Sequence, residues 1–287
     1  MKSVTIFLKE IRVEHTFFAL PFAYTGAIFA ARGMPSWHAV LWITLAVLGA
    51  RTAAMAANRY LDKDIDKRNP RTARRALATG VLPSSAMLWA SAAGMILLVV
   101  AAWQLNPLCV KLLPLAAIGV LLYPLCKRFT WLTHFVLGAV DGLAPLGAFI
   151  GVAGTVTWPA LLLFLAVTVW VAGFDIAYAL MDLPTDTAQG IASLPARFGA
   201  SSGRYAPLMA HWVMALLLIA AGWYAGAPHW YYLGIVAAGA LVLVEDRAFR
   251  DAPNVFVANE RIFIANMVFS VVFLITTATA FLTVTYA

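Results

Sequence analysis

The sequence predicts an all-α protein, a single domain over residues 1–287 folded as a polytopic membrane bundle of about nine transmembrane helices. Three observations carry this reading. Hydrophobic residues make up 63% of the chain and charged residues 11%, with a mean hydropathy of +0.85. A soluble domain carries about 25% charged residues, so this excess of apolar side chains calls for lipid as solvent. In lipid the backbone must pair with itself, which leaves helices or a closed barrel. The apolar stretches run about 20 residues, too long for the alternating strands of a barrel. Thirdly, the basic residues gather in alternate loops.

The spans, in order, are 14–32, 38–60, 83–103, 108–124, 132–152, 158–181, 206–225, 229–248 and 262–284, separated by clusters of Gly, Pro and charge. The first lacks a small-residue cleavage pattern and runs into a loop at Gly33, so it reads as a span rather than a signal peptide. The N-terminal segment and the loops after spans two, four, six and eight hold nearly all the Lys and Arg, whereas the opposite loops hold only Arg32 and Lys111. The positive-inside rule then places the N-terminus and those loops in the cytoplasm, with the protein in the cell membrane. The same rule accounts for the net charge of +7 without a nucleic-acid partner. Cys109 and Cys126 fall about 25 Å apart at helical rise, too far for a disulfide. The two longest cytoplasmic connections, 61–82 and 182–205, are separated by four spans, which points to a parallel internal repeat.

Both connections begin with acidic residues at helical spacing. The first motif is Asn58-Arg-Tyr-Leu-Asp62-Lys-Asp-Ile-Asp66, whose Asn58, Asp62 and Asp66 share one helix face. The second is Asp175-Ile-Ala-Tyr178-Ala-Leu-Met-Asp182-Leu-Pro-Thr-Asp186, whose offsets of three, seven and eleven again align the polar groups on one face of a helix, which Pro184 is placed to end before Asp186. A carboxylate within a membrane helix costs about 2.5–3.5 kcal/mol. Clustered carboxylates also repel one another, and a divalent cation offsets both costs. Asp oxygens with an Asn carbonyl are hard ligands that suit Mg²⁺, an ion often shared with substrate phosphates. Two facing clusters would therefore hold a diphosphate between metal ions.

Basic residues complete the pattern. Arg68-Asn-Pro-Arg71-Thr-Ala-Arg74-Arg75 follows the first motif, and Lys127-Arg128 ends the fourth span one turn after Tyr123. Arg68, Lys127 and Arg128 are the candidates for the diphosphate, because guanidinium grips phosphate oxygens in pairs and Lys acts as a point charge. Arg51 lies seven residues before Asn58, two turns deeper in the span. A buried Arg needs an anion; Asp141 of the fifth span and the carboxylate of a substrate are the two candidates.

These residues resemble the UbiA superfamily of intramembrane prenyltransferases over nearly the full chain. The resemblance rests on Asn58-x3-Asp62-x3-Asp66, Asn69-Pro70-Arg71-Thr72, Tyr123-x3-Lys127-Arg128, Asp175-x2-Tyr178-Ala179-x2-Asp182-x3-Asp186 and Gly190-Ile-x-Ser193. It implies nine helices around a central cavity open sideways to lipid. It also implies that Asp62, Asp66, Asp182 and Asp186 bind Mg²⁺-diphosphate with help from Asn58. The 4-hydroxybenzoate branch is the most similar, and there Arg51 would hold the acceptor's carboxylate. The chain departs from many members of that branch in having Leu183-Pro184-Thr185 where they carry acidic residues. Its Ser193–Gly199 segment resembles the subgroup that prenylates a carboxylated dihydroxynaphthalene on the futalosine route to menaquinone.

The implied reaction transfers a polyprenyl group from polyprenyl diphosphate to an aromatic acid, ortho to its hydroxyl, in quinone biosynthesis. Tyr123, Tyr178 and Phe174 would face the allylic cation. Asp175 would accept or orient the phenol proton. The expected partners are the two substrates and the bilayer, with no obligate protein partner. A transporter is the rival from another class, since it too uses intramembrane Asp residues and repeats. Both Asp motifs here sit at the cytoplasmic ends of their spans rather than at the midplane, which favours the enzyme. His15, His38, His134, His211 and His229 show no ligand spacing and read as interfacial or packing residues. The row Gly138, Gly142, Gly147 and Gly151 reads as a surface for close helix packing, or as room for a substrate tail.

Overall fold

Among the described residues, nine long helices occupy the nine expected spans. The structure is a computed structural model that describes residues 2–12 and 14–283; the side chain of His15 and residue 284 of the ninth expected span lie outside what it describes. Among the described residues there are twelve helices and no strand. The long ones are α2 (Glu14–Ala31), α3 (Trp37–Arg68), α4 (Ser84–Leu105), α5 (Pro107–Cys126), α6 (Thr133–Ala153), α7 (Trp158–Ala179), α10 (Ala200–Ala225), α11 (Tyr231–Asp251) and α12 (Val255–Thr283). The short ones are α1 (Lys2–Glu10), α8 (Leu183–Gln189) and α9 (Leu194–Phe198). Seven helices are long and apolar enough to cross a membrane by length and composition. Of the other two long ones, α2 offers the shorter apolar run Phe18–Ala31, and α11 carries Glu245, Asp246, Arg247 and Arg250 in its last two turns.

The helix ends follow local chemistry. Ser36 caps α3 by accepting from the Ala39 N–H, and Asn106 caps α5 by accepting from those of Leu108 and Cys109. Helix α3 runs past the expected end at 60 to Arg68, because nothing in it breaks a helix until Asn69-Pro70. The first acidic motif therefore lies wholly on α3. The second does not lie on one helix. Pro184 would drive its ring into the Leu180 carbonyl of a continuous helix, and α7 ends at Ala179 with Leu180 as its C-cap. The chain turns through 180–182 and restarts as α8 with Pro184 in its first turn. Asp182 thus stands at the break and Asp186 on α8, a correction to the single-face reading.

Each long helix packs on the next in the chain, from α3 round to α12, and α12 closes the ring on α2, which also meets α3. Helix α2 leans inward on α6. The close approach of α6 to α7 depends on glycine. A Cβ at Gly138 would stand 2.0 Å from the Thr168 carbonyl oxygen, and one at Gly142 would stand 2.7 Å from that of Phe164. Gly147, from the same row, meets nothing within 4 Å and borders an apolar cavity of about 220 Å³ among α2–α6. Gly151 is also close-packed, a Cβ there standing 3.1 Å from Leu105 Cδ1, so the glycine row serves packing at Gly138, Gly142 and Gly151 and borders open space at Gly147. Gly138→Ala is expected to destabilise the protein by roughly 1–3 kcal/mol or more, because backbone must move rather than a side chain; thermal unfolding in detergent measures it. Gly147→Ala is the neutral comparison.

An aromatic stack fills the half of the bundle opposite α4. Trp170 lies flat against Phe18 at 4.5 Å between ring centroids and tilted against Phe22 at 4.6 Å. A buried polar chain fixes Trp170: its indole N–H donates to Asn266 Oδ1, Asn266 Nδ2 donates to Glu245 Oε1, and Glu245 Oε2 shares a proton with His211 Nδ1 at 2.6 Å. All four residues are buried, and each polar group finds a partner. His211 is thus a packing residue, as its sequence context implied.

Candidate active site

A cavity of about 260 Å³ opens where the acidic ends of α3 and α7 meet the 69–75 loop, the end of α5 and the start of α6. It gathers Asn58, Asp62 and Asp66 from the first motif with Asp175, Tyr178, Asp182 and Asp186 from the second. Arg51, Tyr123, Lys127 and Phe174 also line it. Residues as far apart in sequence as Arg51 and Asp186 thus share one chamber of the fold.

Three of the four expected metal-binding carboxylates rest against a cation. Lys127 donates its ammonium to Asp62 Oδ2. Arg75 grips both oxygens of Asp66 through Nη1, at 2.8 and 2.7 Å. Arg71 forks onto Asp182, with Nε donating to Oδ1 at 2.7 Å and Nη2 to Oδ2 at 2.5 Å. Asn69 adds a hydrogen bond to Asp182 Oδ1 at 2.7 Å. Arg71 also donates to the Tyr178 hydroxyl at 3.2 Å and lies 5.1 Å from the centroid of that ring. The fourth carboxylate, Asp186, is buried on α8. Burial pushes it up to about 6, opposed by a Ser193 hydrogen bond and reinforced by the Asp182 charge.

This donor set fits Mg²⁺. Four hard carboxylates and an Asn line one chamber, and Asp62 Oδ1 is buried without any hydrogen-bond partner. As the side chains stand, no three acidic, His or Cys groups among the described residues are close enough to share one ion. Lys127, Arg75 and Arg71 hold the carboxylates instead.

Arg51 sits at the floor of the chamber, and with Asp141 it also borders the apolar cavity beyond. Its Nη1 donates to both oxygens of Asp141, at 2.9 and 3.2 Å. The protein carboxylate is therefore its partner here. Its Nε is buried with no acceptor, so one donor remains for a second carboxylate. Tyr123 is buried in the chamber wall, and Phe174 stands 6.1 Å from Tyr178 between centroids.

Two expected diphosphate ligands lie elsewhere. Arg68 is exposed and donates to the Asp64 carbonyl one turn back; the chain enters the chamber from Asn69 onward, so Arg71 and Arg75 line it instead. Arg128 donates to the Leu61 carbonyl and ties the end of α5 to α3. Lys127 is placed as expected. Arg75→Ala is expected to raise KM for the prenyl diphosphate about tenfold, whereas Arg68→Ala leaves it within about twofold; steady-state kinetics on the pair decides between them.

His134 is a site residue that sequence spacing missed. It is buried in the chamber wall, with Nδ1 2.6 Å from Asp175 Oδ2 and Nε2 accepting from the Leu194 N–H at 3.1 Å. Its partners lie 41 and 60 residues away, beyond any local pattern. The segment that supplies Leu194 laces the site together. The Ile191 N–H donates to the Asp186 carbonyl at 2.9 Å and the Ala192 N–H to the Lys127 carbonyl at 2.8 Å.

The profile of the UbiA prenyltransferase family matches residues 19–267. The chain belongs to the UbiA prenyltransferase family. Among its UbiA relatives, a protein of Alkalilimnicola ehrlichii named 4-hydroxybenzoate octaprenyltransferase is 32% identical over 245 residues, covering 82% of this chain and 81% of that one. The apo structure of a UbiA homologue from Aeropyrum pernix K1 superposes with a TM-score of 0.80 at 30% identity, covering 93% of this chain and 96% of that chain. A UbiA homologue from Archaeoglobus fulgidus, solved bound to GPP and Mg²⁺, shares the fold with a TM-score of 0.70 at 17% identity, over 95% and 99% of the two chains. The chain is accordingly a multi-pass membrane protein of the UbiA fold.

Proposed function

We propose that this UbiA protein transfers a polyprenyl group from polyprenyl diphosphate to 4-hydroxybenzoate, ortho to the hydroxyl, in a Mg²⁺-dependent reaction of quinone biosynthesis. The observation that carries it is the chamber in which both acidic motifs, the cations Lys127, Arg71 and Arg75, and a half-buried Arg51 with a buried spare donor converge. The name of the Alkalilimnicola ehrlichii relative supports the same acceptor.

Asp62, Asp66, Asp182 and Asp186 would hold the metal, with Asn58 beside them. Mg²⁺ supplies charge that stabilises the departing diphosphate. Lys127, Arg71 and Arg75 turn from their carboxylates to the phosphate oxygens and bear part of the developing charge. Arg51 Nε–H takes the carboxylate of the acid. The faces of Tyr123, Phe174 and Tyr178 border the allylic carbon as it becomes cationic. Asp175 takes the phenol proton. The surrounding helices keep bulk water from the cation. The N-terminus and the acidic loops face the cytoplasm in this reading, which the distribution of Lys and Arg supports.

The test is purified protein with Mg²⁺, geranyl diphosphate and 4-hydroxybenzoate, with and without EDTA, read by mass spectrometry. A metal-dependent prenylated acid is the expected result. One observation favours a second acceptor. The Ser193–Gly199 segment, which resembles the dihydroxynaphthalene-acid subgroup, reaches the chamber through the contact of Leu194 with His134. Product from a dihydroxynaphthoate alone would move the enzyme to that acceptor and keep the site. No product from any aromatic acid would return the transporter reading.

A further inference from the structure

We propose that His134 is a positioning residue that aims Asp175 at the acceptor's hydroxyl, with its own tautomer set by the backbone N–H of Leu194. This rests on the reading above that the acceptor is a phenolic acid.

The hydrogen bonds determine the roles. Nε2 accepts from the Leu194 N–H at 3.1 Å, so it carries no proton. The ring proton therefore sits on Nδ1 and is donated to Asp175 Oδ2 at 2.6 Å. With both nitrogens engaged, the imidazole has no free nitrogen for a substrate. The group that faces the chamber is Asp175, whose side chain is 31% exposed against 3% for His134. Oδ2 is held, and Oδ1 is left to meet a ligand. The order is base outward and imidazole inward, with a backbone amide behind. A buried His used only for packing would not need its partner exposed in a chamber with five further carboxylates.

The allylic C–O bond breaks and its electron pair leaves on the diphosphate. The ring carbon ortho to the hydroxyl bonds to the allylic carbon, while the hydroxyl proton passes to Asp175 Oδ1. This gives a neutral dienone in place of a charged ring. The dienone then loses its ring proton and its oxygen is reprotonated, so one proton is released overall. His134 stays neutral throughout and keeps Oδ1 pointed at the hydroxyl.

The experiment compares wild type, His134→Leu and His134→Gln with geranyl diphosphate and Mg²⁺. The acceptors are 4-hydroxybenzoate and its 3-fluoro derivative, a more acidic phenol with one ortho position free. The glutamine amide carries a donor and an acceptor on one carbon and can serve both Asp175 and Leu194. Leucine serves neither. With 4-hydroxybenzoate, His134→Leu is expected to lose about ten- to a hundredfold in kcat, and His134→Gln to recover most of it. With the fluorinated acid the leucine deficit shrinks severalfold, because a phenol that ionises readily needs its base less. Geranyl diphosphate binding stays within about twofold of wild type in both variants. Should the leucine variant lose that binding, His134→Asn, too short to reach both partners, carries the same comparison. Wild-type kcat in the leucine variant, an equal deficit with both acceptors, or no rescue by glutamine would each overturn the proposal. A wild-type protein that prenylates no phenolic acid would overturn the functional reading and this proposal together.

Discussion

Alanine at Asp62 is expected to abolish prenyl transfer while the protein stays folded. Asp62 is buried at the end of α3. One of its oxygens takes the Lys127 ammonium, and the other has no partner at all. A buried carboxylate oxygen left unpaired costs stability in the resting protein, and under the proposed function a cation satisfies it. Its loss removes a ligand and frees Lys127 from its resting place, so kcat/KM should fall by about 10³ or more. The fold should survive, because the Lys127 side chain is 25% exposed and can be hydrated once released. Asp62→Asn separates charge from shape. The amide still accepts from Lys127 but is a poor Mg²⁺ ligand, so it should be nearly as inactive as alanine while melting closer to wild type. Product formation by mass spectrometry, with thermal unfolding as control, reads both. Normal turnover in the alanine variant would remove Asp62 from the site.

Arg51→Ala is the second large effect, and it acts on stability and binding together. Removing the guanidinium leaves the Asp141 carboxylate, 15% exposed, without its partner. Breaking a buried pair from one side typically costs about 3–5 kcal/mol. Arg51→Ala with Asp141→Asn removes both charges and should recover most of that stability. Recovery of binding is the discriminating part. If the spare Nε–H holds the acceptor's carboxylate, the double variant still shows KM for the acid raised by about tenfold or more, with KM for the prenyl diphosphate unchanged. An Arg that served only Asp141 would give a double variant with ordinary acceptor kinetics.

How far the site was legible in the sequence depends on where the helices stay regular. Asn58, Asp62 and Asp66 sit as their spacing predicted because α3 is unbroken through all three. The second motif was read as one face with Pro184 as the place where its helix could end, and the chain does break just before that proline. Pro184 excludes a helix through Leu180, and the structure uses the resulting break to set Asp182 opposite Arg71. The loop arginines were beyond pattern reading. Arg68, Arg71 and Arg75 are alike in type and differ in where the chain enters the chamber, from Asn69 onward, a tertiary outcome. The competing partners of Arg51 were both named from sequence, and the bridge to Asp141 with a leftover donor accommodates both. His134 gave no local signal, since both its partners come from distant helices. For nine spans and two acidic clusters, composition and period were sufficient; for the pairing of individual charges, they were not.

The resting pairs of Lys127 with Asp62, Arg75 with Asp66 and Arg71 with Asp182 also bear on how the enzyme clears its by-product. Diphosphate is a compact, highly charged anion, and a chamber of bare cations would retain it after every cycle. Here each cation has an alternative anion within reach, fixed to the protein and therefore always at high local concentration. Under the proposed function, once the prenylated acid has formed the carboxylates would compete with diphosphate for their former partners, and every pair that closed would weaken the grip on the leaving group. The resting state would in this sense act as an internal displacing agent. It would lower the affinity for diphosphate and in exchange let the chamber empty.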